Sequence, residues 1–73
     1  MPTPSEAHLR GLLAQAEQDL VEAERRRDHQ ARVVYNLLDG TDTRAFAEKG
    51  LREIERSIGF ILANRELIQH ILA

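Results

Sequence analysis

The regular spacing of apolar residues along almost the whole chain is the feature that most constrains its fold. These residues recur at alternating steps of three and four, and no proline follows Pro4. Such spacing places them on one side of an α-helix, because a helix completes a turn in about 3.6 residues. A few stripe positions hold a polar residue, but the helical spacing itself is broken only at Asp39-Gly40 and the polar residues after it. We therefore predict an all-α chain of two helices joined by one turn.

The helix ends are predicted from capping residues. The run Thr3-Pro4-Ser5-Glu6 is typical of a helix start, with Thr3 as the N-cap and proline at the first helical position. Glycine readily adopts the left-handed conformation that ends many helices, so Gly40 is expected directly after the first helix. We predict helices over about residues 4–39 and 43–72.

The start of the second helix leaves two points open. Either Asp42 or Thr43 can cap it, because both side chains carry an oxygen that accepts a backbone hydrogen bond. Gly50 either lies within the helix or ends a short first turn, so that the main helix begins at Leu51.

Two long helices joined by a short turn pack as antiparallel neighbours, so each needs one apolar face. We predict a single helical-hairpin domain over residues 1–73. In the first helix, Leu12 and Leu38 are expected to widen the buried face. We name the main buried positions of both helices the core stripe: Leu9, Leu13, Leu20, Val34, Leu51, Ile54, Ile58, Ile61 and Ile68.

The second helix carries a further set of apolar residues on its other side. At 100° per residue, Phe60, Leu67 and Ile71 project away from the core stripe, with Asn64 between them and Phe46 toward the same side. We name these five residues the second apolar face. A contiguous exposed apolar patch usually marks an interface. The alternatives are that the first helix wraps over part of it or that the C-terminus frays.

The small size of the chain favours association with a second copy. A chain of 73 residues buries a limited share of its surface, and without cysteine it has no disulfide or thiolate metal site. Of the usual ways in which a small chain gains additional stability, oligomerisation is the one that remains. We predict a homodimer in which two hairpins form a four-helix bundle. The open alternatives are a different protein docked on the same face, and a swapped dimer with Gly40 straightened.

Arginine interrupts the apolar stripe of each helix. In an antiparallel register, Arg65 is expected near Glu17 and Arg27 near Glu55. One interpretation is that these are two ion pairs that fix the register. The other is that both arginines extend their charged ends into solvent.

A basic segment on the first helix is the remaining candidate site. Arg25, His29 and Arg32 lie together on the side away from the core stripe, and guanidinium groups bind phosphate and carboxylate well. An outward histidine on a dimeric helical hairpin resembles, in architecture, the histidine-phosphotransfer domains of sensor kinases. In those domains a carboxylate commonly follows the histidine, whereas Gln30 follows His29 here.

The sequence predicts a binding protein and no enzyme. It contains no recognisable nucleophile motif, phosphate-binding loop or metal-ligand spacing, so we expect no catalytic residues, metal or cofactor. A net charge of -2 disfavours a general nucleic-acid partner. No apolar run reaches the roughly 20 residues that cross a bilayer, so no membrane partner is expected and the location is predicted to be cytoplasmic. The predicted function is protein–protein interaction, as an adaptor, chaperone or inhibitor that self-associates through the second helix. The alternative is phosphotransfer or a phosphate response centred on His29.

Overall fold

The computed structural model describes residues 3–73 and contains two long helices within that range. Helix α1 spans Pro4–Asn36 and helix α2 spans Asp42–Leu72. They pack against each other along an elongated body of 57 × 15 × 14 Å. The predicted all-α helical hairpin is confirmed, and it closes within one chain. Met1 and Pro2, which the single-domain prediction includes, lie outside the described residues.

Helix α1 begins as its capping residues predict. The amide of Glu6 donates a hydrogen bond to the Thr3 Oγ1 atom at 3.1 Å, and Pro4 occupies the first helical position. The amide of Ala7 donates to the Thr3 carbonyl at 2.9 Å. The second bond is the first regular bond of the helix, and the first satisfies an amide that a helix start otherwise leaves without a partner.

Helix α1 ends earlier than predicted, at Asn36 instead of residue 39. Leu37 takes an extended conformation, with φ -88° and ψ 148°, which stops the helical hydrogen-bond ladder. Gly40 does adopt the left-handed region, with φ 77°, but it lies within the connecting segment and not directly after the helix. Leu38 consequently falls outside α1 and is exposed, so it does not widen the buried face as expected.

Thr41 caps α2, in place of the predicted Asp42 or Thr43. Its Oγ1 atom accepts a hydrogen bond from the Arg44 amide at 3.1 Å and donates one to the Leu38 carbonyl at 2.8 Å. The same hydroxyl therefore satisfies a donor at the start of α2 and an acceptor in the connecting segment. Asp42 instead occupies the first turn of α2, where a negative charge interacts favourably with the helix dipole.

Arg44 holds the two helices together beside the turn. Its Nη1 atom donates to the Leu37 carbonyl at 3.2 Å. Its Nε atom lies 3.3 Å from Glu48 Oε1 and 3.9 Å from Asp39 Oδ1, without completing a hydrogen bond to either. The carbonyl at the end of α1 is thus satisfied by a side chain of α2.

Helix α2 continues through Gly50 without a break, so the alternative boundary at Leu51 is wrong. Gly50 lies where α1 approaches closely, because the Gln30 Nε2 atom donates to the Ala47 carbonyl at 2.9 Å. A Cβ atom built on Gly50 would lie 3.1 Å from that Nε2 atom. The absence of a side chain at position 50 therefore leaves room for a hydrogen bond between the helices.

The core between the helices is small. Its buried members are three alanines and three β-branched residues: Ala16, Ala23, Val34, Ala47, Ile58 and Ile68. All nine core-stripe positions are buried or half-buried. Leu12, which was expected to widen the buried face of the first helix, is 42% exposed.

The predicted ion pairs between the helices do not form. Arg27 pairs within its own helix, with Glu24 at 4.0 Å and Asp28 at 3.5 Å, because these carboxylates lie within one turn of it. Arg65 is half-buried and makes no ion pair within residues 3–73, and its Nε atom is enclosed without a hydrogen-bond partner. Near the turn, a different polar residue of the stripe, Gln30, makes the contact between helices.

Candidate functional site

The second apolar face lies in the open on α2. Phe60 is 70% exposed, Leu67 57%, Ile71 55% and Phe46 80%, and Asn64 between them is also exposed. Helix α1 therefore does not wrap over these side chains. Each large apolar side chain left in water forgoes about 1.5–3 kcal/mol that complete burial would provide.

The exposure of this face follows from the pattern of α2. Ile58 and Ile68, buried against α1, fix which side of the helix meets its neighbour. Each successive side chain points about 100° further around the helix axis. The position two after Ile58 and the position one before Ile68 therefore point away from α1. Phe60 and Leu67 occupy these positions, so α2 is apolar on two sides while α1 covers only one.

Helix α1 contributes an apolar neighbour to the same side of the hairpin. Arg26 shares an open depression of about 260 Å³ with Gly50 and Ser57 of α2. Leu12 lies two heptads before Arg26, so it projects from α1 toward the same side, and it is 42% exposed. From the sequence we expected Leu12 to widen the buried face of the first helix. Its position at the edge of the apolar stripe is the feature from which an exposed role could have been predicted.

The exposed area of the hairpin is large for its mass. The accessible surface is 5766 Å². A globular monomer of 8.3 kDa is expected to expose about 4,600 Å². The excess, roughly 1,200 Å², is larger than the about 800 Å² that each partner buries in a standard protein interface. Association can therefore remove a standard interface area and still leave a normal surface.

The basic segment of α1 borders a second open depression, of about 390 Å³. Arg25, Arg26 and His29 line it together with Gln30 and with Ile54 of α2. The structure thus brings Arg25 and His29 together as the sequence suggested, while the exposed Arg32 does not line the depression. Arg26 lines the depression instead of Arg32. This could have been predicted from the sequence, because residues three apart, such as Arg26 and His29, are neighbours on a helix surface.

The arginines around this depression differ in whether a carboxylate lies near them. Among the described residues, neither Arg25 nor Arg26 has a carboxylate within ion-pair distance, so both guanidinium groups are free to meet an anion. Arg27, the next residue, is occupied by Glu24 and Asp28. Within residues 3–73, the depression is thus lined by two guanidinium groups without an ion pair, one imidazole and the aliphatic side chain of Ile54.

Comparison of the chain with models of known protein families, with curated proteins and with solved structures found no match. Within residues 3–73, neither helix has a stretch of sufficient length and apolar character to cross a lipid bilayer.

Proposed function

We propose that the protein is a non-enzymatic protein–protein interaction module that self-associates through α2. The observation that supports this most directly is the exposure of Phe60, Leu67 and Ile71 on the side of α2 turned away from α1. In a dimer of two hairpins these side chains become the core of a four-helix bundle. Hydrophobic burial between the copies then adds to a hairpin core in which three of six buried residues are alanine.

The proposal accounts for a property that a lone hairpin leaves unexplained. An isolated two-helix hairpin needs one apolar face per helix, yet α2 carries two. A two-fold dimer presents the same patch from each copy, so one set of side chains forms both halves of the interface.

The test is sedimentation equilibrium of the wild-type chain beside a Phe60→Glu/Leu67→Glu variant. We expect a wild-type dimer and a monomeric variant, because each substitution forgoes about 1.5–3 kcal/mol of burial and adds a charge that the interface would desolvate. The matched control is Arg52→Glu, which changes the net charge by the same amount at an exposed position of α2 away from the second apolar face. It should remain dimeric.

A folded, monomeric wild-type chain would overturn self-association. Circular dichroism of the same samples separates that result from a chain that is unfolded on its own. The second apolar face would then be assigned to a different protein, and a dimeric Phe60→Glu/Leu67→Glu variant would move the interface elsewhere on the hairpin.

A second candidate function is a response to phosphate at His29. The observation that favours it is the open depression in which His29 lies beside the unpaired Arg25 and Arg26. Incubation with a labelled phosphodonor, followed by acid treatment, tests it, because phosphohistidine is acid-labile. Acid-sensitive labelling that His29→Ala abolishes would support this function, and the absence of labelling would overturn phosphotransfer.

A further inference from the structure

The second apolar face is part of a longer repeat along α2. Stepping alternately by four and three residues from Phe46, the repeat passes through the whole helix, and we name it the outer stripe: Phe46, Gly50, Glu53, Ser57, Phe60, Asn64, Leu67 and Ile71. Alternating steps of this kind are the pattern by which one helix packs lengthwise against another. Helix α2 therefore carries two stripes. One packs against α1, and the other, apart from Gly50 beside Gln30, has no close neighbour among the described residues of the hairpin.

Large and small residues are distributed unevenly along the outer stripe. Both small residues of the stripe, Gly50 and Ser57, lie in its turn-proximal half, while three of its four large apolar residues lie in the C-terminal half. Open depressions lie beside the small residues, one of about 240 Å³ that Gly50 lines and one of about 260 Å³ that Gly50 and Ser57 line. Space is therefore concentrated at Gly50 and Ser57, and apolar bulk in the C-terminal half.

From this distribution we infer that α2 packs antiparallel to α2 of a second copy, with the two-fold axis between Ile58 and Gly59. This inference rests on the proposed self-association and adds its orientation and register. It places Phe60 against the partner's Ser57, and Leu67 against the partner's Gly50. A large side chain of each copy then lies against a small residue of the other. The two-fold symmetry of an isologous interface repeats each of these contacts once.

The ends of the outer stripe fit the same register. Phe46 of one copy lies at the level of the partner's Ile71, so two exposed apolar side chains meet at each end of the interface. All eight positions of the stripe find a counterpart in this register. A shift by one heptad in either direction leaves bulky residues at one end without a counterpart, which forgoes burial.

The charge of Glu53 separates this arrangement from a parallel one. In a parallel pair of α2 helices, each stripe residue faces its own copy, so two Glu53 carboxylates meet in the middle of the interface. Like charges brought out of water together repel strongly. In the antiparallel register, Glu53 instead faces the partner's Asn64, whose amide can donate a hydrogen bond to the carboxylate.

Disulfide cross-linking tests the orientation, and the chain has no cysteine to interfere. The probes are the full-length single variants Glu53→Cys and Asn64→Cys, oxidised separately and after mixing, with products identified by mass spectrometry. The antiparallel register predicts a disulfide between the two variants in the mixture. It predicts little cross-linking of either variant alone, because identical positions then lie about 16 Å apart along the axis and disulfide Cα atoms lie within about 7 Å.

The matched control is a mixture of Arg52→Cys with Glu66→Cys, two exposed positions of α2 off the outer stripe, which should not cross-link. Sedimentation equilibrium of the wild type and of the reduced variants accompanies the oxidation. A monomeric wild type overturns both the proposed self-association and this inference. A dimer in which each variant cross-links with itself, or in which neither variant cross-links, overturns only the antiparallel register.

Discussion

The two ends of the hairpin are held together by different kinds of contact. At the turn end, which comprises residues 30–50, side-chain hydrogen bonds join the two helices. Gln30 of α1 donates to the Ala47 carbonyl, and Arg44 of α2 donates to the carbonyl of Leu37, directly after α1. At the open end, which comprises the rest of the described chain, the helices share an apolar core around Ile58 and Ile68, and no hydrogen bond or ion pair joins them.

This difference separates the part of the molecule in which hydrogen bonds join the helices from the part in which only apolar packing does. Directional hydrogen bonds define how the helices align, whereas apolar contact alone is non-directional. Phe60, Leu67 and Ile71 all belong to the open end. The open end therefore carries three of the four apolar residues of the second apolar face, while the fourth, Phe46, lies at the turn end with the exposed Tyr35 and Leu38.

Removing a buried side chain at the open end should have the largest effect. Ile68→Ala empties a position that is 4% exposed. We expect it to lower the free energy of unfolding by about 2–5 kcal/mol, as buried isoleucine truncations do. Urea denaturation at a fixed protein concentration measures this. Leu62→Ala, at a more exposed position, is the control and should cost less; equal losses would contradict the assignment of Ile68 to the core.

At the turn end, loss of the shared hydroxyl should have the next largest effect. Thr41→Ala removes both the cap of α2 and the bond to the Leu38 carbonyl. We expect a loss of about 1–2 kcal/mol in unfolding free energy, the upper range for an N-cap. Thermal unfolding followed by circular dichroism measures it. Thr43→Ala, which makes neither contact, should be close to wild type, and a similar loss there would refute the capping role of Thr41.

Substitution of two glycines of α2 compares a position close to α1 with one that has open space around it. Gly59→Ala meets nothing within 4 Å and should stabilise the protein by about 1 kcal/mol, because alanine is the better helix former. Gly50→Ala should gain less, since its Cβ atom would lie 3.1 Å from Gln30 Nε2. Equal gains in melting temperature would show that Gln30 moves aside without cost.

The smallest effect is expected from the exposed ion pair of α1. Glu24→Gln removes a contact of 4.0 Å to Arg27 in which both side chains are partly in solvent. Pairs of this kind contribute about 0–1 kcal/mol, and salt screens them. Denaturation at low and high ionic strength should show at most a few tenths of a kcal/mol between variant and wild type. A larger loss would mean that the pair also supports the open end.

Local rules were sufficient for much of this fold. Helical spacing predicts the core at Ile58 and Ile68, capping preference predicts Thr3, and the rotation of α2 predicts the exposure of Phe60 and Leu67. In each case the deciding interaction lies within a few residues along the chain, or depends only on the direction of a side chain from its helix.

The errors have two sources: side-chain hydrogen bonds around the turn, and carboxylates on the same helix that compete for an arginine. Leu37 and Leu38 continue the apolar spacing, so the pattern extended α1 to residue 39, whereas Arg44 and Thr41 bind the carbonyls of these leucines outside a helix. Arg27 was assigned to a partner on α2, but carboxylates on its own helix are nearer. The partner of the second apolar face is beyond such rules, because one copy of a chain does not specify what covers it.

The contacts beside the turn also set an order of folding. Arg44 and the Leu37 carbonyl are separated by 7 residues, and Gln30 and the Ala47 carbonyl by 17. Closing a short loop costs less chain entropy than closing a long one. We therefore expect the hairpin to close from the turn outward, and its termini to separate first when it opens. If a second copy binds along α2 as we propose, it would hold this last-closing end shut and so complete the folding of each chain.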